Sequence, residues 1–283
     1  MYTSLKKSLI IIFFGILSSK ITKAGPSIID IGDVNINNCY KDPQNNIMQS
    51  FFINETDNSF WISFDSKERQ HQIIKLVKEK SATYREDYED INSTGHLDSF
   101  YVENFKIIST DKYIKPSIIK MEKGKIISRA DYPIKIYGNQ IIAFDKEKNR
   151  DFVLWASDDN KNKYFFLGQL DHTKFVVSNF KKTSILYPKN EILQGLGLYK
   201  KFIYALTGDK NNNPSIYKWN ASGKLISKRI LSINSSWRAE GYFEPEGLNI
   251  TGDNLAFGLV TKQSKNGDIS FFNCIKKFKL SNF

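Results

Sequence analysis

The sequence predicts an all-β protein, a single β-propeller of five four-stranded blades that is closed between its first and last strands. Three observations support this fold class. The chain contains 21 Phe and 14 Tyr residues, and aromatic residues favour strands. Short runs with alternating apolar residues recur along the chain and are separated by polar turns. The repeating units begin at intervals close to the length of a propeller blade, about 40–50 residues. They begin near Gln49, His96, Ile134, Gln194 and Glu246.

The first two units illustrate the pattern. Residues 49–64 contain two alternating runs around a polar turn, which is typical of a hairpin, and residues 73–77 can supply a third strand. Residues 78–94 are highly charged, so we expect them to form a loop. The second unit opens at Gly95-His96 and continues to Ser128.

The later units follow the same scheme. The third runs from Ile134 to Ser178, the fourth opens at Gln194-Gly195 and the fifth at Glu246-Gly247. Three of the five openings place a polar residue near a glycine, followed by an apolar strand. Because the innermost strand of a blade faces the central channel, this pattern suits a position where backbones are crowded. A β-sandwich of about ten strands is the structural alternative, but it predicts no regular spacing of openings.

The N-terminus has the features of a secretory signal. Lys6 and Lys7 precede an apolar run over residues 9–17, and small residues allow cleavage after Ala24. An uncleaved membrane anchor is the alternative. No other run approaches the ~20 apolar residues of a membrane-spanning helix.

These features predict three segments: a signal peptide over 1–24, an extended segment over 25–46 and the propeller over 47–283. The protein is then secreted or periplasmic, with no membrane span after signal removal. Cys39 and Cys274 lie near the two ends of the processed chain. We expect them to form a disulfide that holds the ring together in an oxidising compartment, with two buried thiols as the alternative.

The chain is basic, with a formal net charge of +11. Four lysines of the signal leave the processed chain near +7, that is 11 − 4. Such a surface attracts anionic polymers, whereas scattered lysines can also be ordinary solvated side chains. No metal, nucleotide or serine-hydrolase motif occurs, so we expect no cofactor and no metal ion.

The blade openings resemble those of a known group of five-bladed propellers. That group comprises phage receptor-binding proteins, teichoic-acid-biosynthesis-C-like proteins and helveticin-type bacteriocins. The similarity spans residues 47–278 and is carried by Gly95-His96 with Ser99-Phe100, by Gln194-Gly195-Leu196 and by residues 244–248. It implies a binding propeller directed at carbohydrate or cell wall. It also implies that His96, Gln194 and Glu246 lie near the channel mouth. The third opening, residues 134–138, lacks the motif.

Acid–base chemistry is the competing interpretation of the same residues. His96 and Glu246 could cooperate if both line the channel, and Glu244 and Glu246 could form a carboxylate pair. Structural roles are the simpler interpretation, with Glu246 bound by backbone amides of a neighbouring blade. We therefore assign no catalytic residue.

The sequence thus leads to a binding hypothesis and an enzymatic alternative. The first is a secreted, monomeric, non-enzymatic propeller that recognises an anionic or glycan cell-surface polymer and has no nucleic-acid partner. Its expected role is that of a bacteriocin-like or accessory factor. The second is a secreted enzyme that cleaves glycans or phosphodiesters at a channel site.

Overall fold

The structure is a computed structural model that describes fifteen segments of the chain. These are residues 27–30, 39–42, 46–57, 59–65, 71–77, 81–88, 97–111, 115–145, 147–148, 150–185, 187–188, 190–208, 214–232, 243–265 and 268–283. The predicted signal peptide and His96 lie outside these residues.

The described residues form twenty strands in five sheets and one short 3-10 helix, Leu280–Asn282. Within each sheet, consecutive strands pair antiparallel. Sheet I contains β2 (Ile47–Asn54), β3 (Ser59–Asp65), β4 (His71–Val77) and β5 (Ser81–Tyr88). Sheet II contains β6 (Tyr101–Glu103), β7 (Lys106–Asp111), β8 (Ser117–Glu122) and β9 (Lys125–Asp131).

The remaining sheets follow the same order along the chain. Sheet III contains β10 (Tyr137–Phe144), β11 (Asp151–Ser157), β12 (Tyr164–Asp171) and β13 (Val176–Lys182). Sheet IV contains β14 (Leu193–Tyr199), β15 (Phe202–Thr207), β16 (Ser215–Asn220) and β17 (Leu225–Ser232). Sheet V contains β18 (Phe243–Thr251), β19 (Asn254–Lys265) and β20 (Asp268–Lys279). The first segment, β1 (Ser27–Asp30), pairs in parallel with the outer edge of β17.

Five apolar clusters lie between neighbouring sheets and hold them in a ring. Each cluster draws side chains from two successive sheets, and the fifth cluster joins sheet V back to sheet I. Representative pairs are Trp61 with Ile107, Ile108 with Phe152, Phe165 with Tyr217, Tyr204 with Phe257, and Phe51 with Val260. The arrangement is a β-propeller, so the sandwich alternative is wrong.

The predicted number of complete blades is wrong. Four sheets are four-stranded blades, and sheet V has only three strands in the described part of the chain. The expected loop over residues 78–94 is also wrong in part, because Ser81–Tyr88 pairs with β4 as the outer strand of sheet I. An outermost strand pairs on one side only and tolerates charge, so its sequence need not show apolar alternation.

The two chain ends are joined differently from the predicted strand closure. Among the described residues, β2 pairs with β3 and β20 pairs with β19, and no strand ladder between the first and last sheets is found. The Cys39–Cys274 disulfide is present and confirms the predicted pairing. Next to it, Tyr40 and Asn273 exchange two backbone hydrogen bonds, of 2.9 and 2.8 Å. A short N-terminal segment is therefore linked to β20 by the disulfide and by these two hydrogen bonds.

Across the described residues, we find no helix that combines the length and the apolar character needed to cross a membrane.

Candidate functional site

Irregularities in the inner strands turn one polar side chain after another toward the same end of the channel. The pairing of β2 with β3 shifts register between Met48 and Ser50, where Gln49 lies. The pairing of β14 with β15 shifts between Leu193 and Gly195, where Gln194 lies. A bulge re-aims the extra residue and locally bends the strand. A polar residue can therefore leave the apolar alternation and face the channel.

The inner strands of sheets III and V contain similar register shifts. The pairing of β10 with β11 is irregular between Tyr137 and Ile141, a stretch that contains Asn139. The pairing of β18 with β19 shifts between Pro245 and Leu248, a stretch that contains Glu246. The backbone of Gly247 has a φ of 77°, a conformation that favours glycine.

In sheet II the polar residue is Asp98, in the segment leading into β6. The residues around it are tied to both neighbouring sheets. Ser63 donates a hydrogen bond to the carbonyl of Leu97 (3.1 Å), and Ser99 accepts one from the backbone N–H of Ile142 (2.8 Å). Asp98 is therefore placed by contacts from sheets I and III.

The polar residues from the five sheets share one open cavity of about 940 Å³, which we call the channel mouth. Its amide and carboxyl lining includes Gln49, Asp98, Asn139, Gln194, Glu244 and Glu246. Aromatic and basic residues also line the cavity, namely Trp155, Lys161, Lys163, Tyr164 and Tyr187.

Below the mouth, the inner strands line a smaller cavity of about 260 Å³ that also borders Asp98. The packing is tight where β14 approaches β18. A Cβ atom added to Gly195 would lie 2.5 Å from the backbone nitrogen of Leu248. The expectation that glycine follows the polar residue because backbones crowd there is confirmed for Gly195.

Glu246 is the most unusual charged group of the mouth. It is only 7% exposed, and no hydrogen bond to its carboxyl group is found among the described residues. Burial raises the pKa of Glu246 well above its ordinary value, and the negative charges of Glu244 and Asp98 raise it further. The prediction that backbone amides bind this carboxyl group is therefore wrong for the described part of the chain. A protonated carboxyl group at this position can both donate and accept a hydrogen bond.

Gln194 and Glu244 join sheets IV and V at the mouth. The Gln194 side-chain Nε2 donates a hydrogen bond of 3.2 Å to the Glu244 carboxylate. The side-chain amides and carboxyl groups of the mouth together offer both donors and acceptors, which is what the hydroxyl groups of a sugar require.

The structure brings Gln194 and Glu246 into one cavity, while His96 lies outside the described residues. Residues Gln49, Asp98 and Asn139 complete the mouth and were not predicted as site residues. Gln49 lies at the first predicted blade opening, and Asp98 is close to the Gly95-His96 motif, so the sequence contained features from which both could have been identified. No sequence feature identified Asn139, because the third opening lacks the motif. Among the described residues, no three His, Cys, Asp or Glu side chains are grouped so as to hold a metal ion.

Comparison with solved structures supports the propeller fold. The tail fibre of Staphylococcus aureus phage P68 is similar with a TM-score of 0.60 and 16% identity; the match covers 86% of this chain and 52% of that one. GH43B of the Bacteroides ovatus xyloglucan PUL has a TM-score of 0.52 and 12% identity, over 83% of this chain and 54% of that one. This chain thus spans about half the length of either protein.

A third similar structure is nearly the same length as the chain. CoXyl43, a GH43 β-xylosidase/α-arabinofuranosidase from a compost microbial metagenome, has a TM-score of 0.51 and 9% identity, over 84% of this chain and 93% of that one. No protein-family model and no curated protein match the chain. At these identities the likeness establishes the fold alone: the chain is a β-propeller protein with a polar channel mouth.

Proposed function

We propose that the protein is a secreted binding propeller that recognises a glycan of a cell surface at its channel mouth. One observation carries this proposal: amide and carboxyl side chains from all five sheets converge on a single open cavity. Ligand sites are typically concave and contain a few convergent polar groups that fix orientation. The solved structures of similar fold include a phage tail fibre and glycoside hydrolases, which is consistent with a carbohydrate ligand.

The mouth favours a glycan over an anionic polymer. Although the chain is basic as a whole, three carboxyl groups, from Asp98, Glu244 and Glu246, surround the centre of the mouth. An anionic group would be repelled there. We infer that any attraction of anionic polymers is a property of the outer surface.

Secretion and the finer family relationship are part of the same proposal. A disulfide between Cys39 and Cys274 is typical of proteins from oxidising compartments, as the predicted signal peptide requires. The motifs at residues 194–196 and 244–248 resemble those of phage receptor-binding proteins and helveticin-type bacteriocins. We infer a monomer with an accessory or bacteriocin-like role.

A glycan-binding screen tests the proposal. The purified protein is applied to a panel of immobilised glycans, together with the mouth variants Gln194→Ala and Glu246→Ala. We expect binding by the wild-type protein and at least a tenfold loss in each variant. Lys174→Ala is the control, because Lys174 is exposed in the turn between β12 and β13 and does not line the mouth. Absence of glycan binding, or binding that neither mouth variant weakens, would contradict the proposal.

Glycoside cleavage is a second candidate, favoured by the electrostatics of Glu246. Its pKa is raised by burial and by Glu244 and Asp98. A protonated carboxyl group beside ionised carboxylates is the combination that acid–base cleavage of glycosides uses. The test is release of reducing ends from the glycans that bind. Turnover that survives the double variant His96→Ala/Glu246→Ala would exclude this site as the source of the activity.

A further inference from the structure

Acidic residues outnumber basic residues in the lining of the channel mouth, although the chain as a whole is basic. The chain carries 41 Lys and Arg residues against 30 Asp and Glu residues. The mouth is nevertheless lined by four acids and two lysines, and the charges of Glu244 and Asp98 act on Glu246. The mouth therefore attracts cationic groups, whereas the basic outer surface attracts anionic ones.

Glu191 shows how this fold compensates a carboxylate that is structural. It lines the same cavity and accepts hydrogen bonds from Tyr217 (2.6 Å), Lys228 (2.9 Å) and Thr207. Those three partners lower the pKa of Glu191, in spite of its partial burial. Glu246 is more buried, yet no comparable donor approaches its carboxyl group among the described residues. Within the described part of the chain, the carboxyl group of Glu246 is therefore open to a donor group of a ligand in the cavity.

The lysines of the cavity do not supply such a donor. Lys161 and Lys163 also line the cavity and lie in the turn between β11 and β12. The Lys163 ammonium group donates a hydrogen bond to the backbone carbonyl of Asn139 and lies 4.8 Å from the centre of the Trp155 ring. The charged groups that shift the pKa of Glu246 are Glu244 and Asp98, and both raise it.

We propose that the channel mouth takes a sugar unit with a protonated amino group, whose ammonium group lies against Glu246 between Asp98 and Glu244. This inference rests on the proposed glycan-binding function and specifies its ligand. An ammonium group has three donors and no acceptor, so it matches a cluster of carboxyl groups. Its charge also offsets the mutual repulsion of the three acids, and charge-assisted hydrogen bonds are the stronger kind. The amides of Gln49 and Gln194 can serve the hydroxyl groups of the same sugar.

Three oligosaccharides of equal length test the charge preference. They are the hexamers of glucosamine, of N-acetylglucosamine and of galacturonate, which at their binding unit are cationic, neutral and anionic. Binding is measured by calorimetry at pH 6 in low salt. We expect the glucosamine hexamer to bind at least tenfold more tightly than its N-acetylated counterpart, and galacturonate to bind most weakly. Attraction to the basic surface would give the opposite order, so the two origins of binding are separable.

Carboxamide variants locate the preference. Glu246→Gln and Glu244→Gln keep the shape of each side chain but cannot ionise. Neither variant can therefore form an ion pair with the ammonium group, which favours the ionised form of a carboxyl group beside it. We expect each to reduce the ratio of glucosamine to N-acetylglucosamine affinity to threefold or less. Glu122→Gln is the control, because Glu122 is exposed at the end of β8 and away from the mouth, and it should keep the full ratio. Thermal unfolding confirms that each variant is folded.

The outcomes separate this inference from the function on which it rests. Equal affinity for the cationic and neutral hexamers, or tighter binding of galacturonate, overturns the amino-sugar inference but leaves glycan binding intact. A glucosamine preference that survives both mouth variants also overturns it. If none of the three hexamers binds, the inference is wrong, and the proposed function then stands or falls on the wider glycan panel.

Discussion

The side-chain amide of Gln194 donates a hydrogen bond of 3.2 Å to the Glu244 carboxylate across the boundary between sheets IV and V. Gln194 occupies the bulge of β14, and Glu244 precedes the bulge of β18. The bond therefore joins two irregular strand segments whose positions are not set by a ladder between the two sheets. It also holds a carboxylate whose charge raises the pKa of Glu246.

Replacing the donor Gln194 by a further acid tests this relationship. Gln194→Glu should lower the free energy of unfolding at pH 7 by about 1–3 kcal/mol, since it removes a donor and adds a negative charge beside Glu244. The loss should shrink at pH 4, where carboxyl groups become protonated. Urea denaturation at the two pH values measures the effect. Gln194→Met is the matched variant that lacks the added charge, so a pH dependence equal to that of Gln194→Glu would contradict the electrostatic explanation.

The buried acid at position 246 predicts a pH-dependent cost to stability. The pKa of Glu246 is raised on folding, so the folded state holds a proton that the unfolded state releases above its ordinary pKa of about 4.5. The contribution of this group to stability therefore falls as pH rises from about 4.5 toward the raised pKa. Glu246→Gln removes the titrating group and imitates the protonated form.

The expected result is that Glu246→Gln is more stable than the wild-type protein at pH 7 and that the difference disappears below about pH 4.5. A tenfold change in the acid dissociation constant corresponds to about 1.4 kcal/mol of stability. Thermal and chemical unfolding between pH 4 and pH 8 measure the difference. Glu122→Gln, at an exposed position, should show no such trend. A difference that is independent of pH would rule out the titration of Glu246 as its cause.

The resemblance at the blade openings led to Gln194 and Glu246, which stand next to glycines in front of apolar strands and which both line the cavity. Their role in binding stays a prediction. Asn139 had no such pattern. It faces the mouth because the pairing of β10 with β11 is irregular, and register depends on the partner strand and not on the residue itself.

The errors about the fold have a similar origin. Ser81–Tyr88 is a strand because β4 offers it a free edge, although its charged sequence is typical of a loop. Closure of the ring was predicted as a strand ladder. The structure instead packs sheet V against sheet I through Phe51 and Val260, and secures the chain end by a bridge at Tyr40. Such packing joins residues that are far apart in the sequence, so the local sequence pattern does not reveal it.

The close approach of β14 to β18 predicts that Gly195 cannot be replaced by alanine without movement of the backbone. The added Cβ would lie 2.5 Å from the Leu248 nitrogen and 2.7 Å from the Gly247 carbonyl carbon. Overpacking of this kind typically costs about 1–3 kcal/mol. Denaturant unfolding of Gly195→Ala should show this loss, and glycan binding should weaken as well, because Gln194 is displaced.

Gly138→Ala is the comparison for this variant. Gly138 has a φ of 63°, but the nearest atom to an added Cβ is the Lys163 ammonium nitrogen at 3.7 Å. It should cost only the backbone penalty of a left-handed residue, about 1–2 kcal/mol. A Gly195→Ala protein as stable as the wild type would show that the two inner strands are not in firm contact.

The Cys39–Cys274 disulfide should make the largest single contribution to stability. It spans 235 residues. It anchors a segment that pairs with sheet V, within the described residues, through the bridge between Tyr40 and Asn273. In the chain-entropy description, so long a loop gives an upper limit of about 5 kcal/mol. Cys274 is also buried in the cluster between sheets IV and V, so its loss affects packing there.

Cys39→Ala and Cys39→Ala/Cys274→Ala should therefore both unfold at much lower denaturant concentration than the oxidised wild type. Because either substitution removes the bond, the single variant should lose nearly as much as the double variant. Unfolding of the wild type with and without a reducing agent supplies the control, since the reductant should destabilise the wild type and leave both variants unchanged. Equal stability of the oxidised and reduced wild-type proteins would mean that packing between sheets V and I is sufficient to hold the ring together.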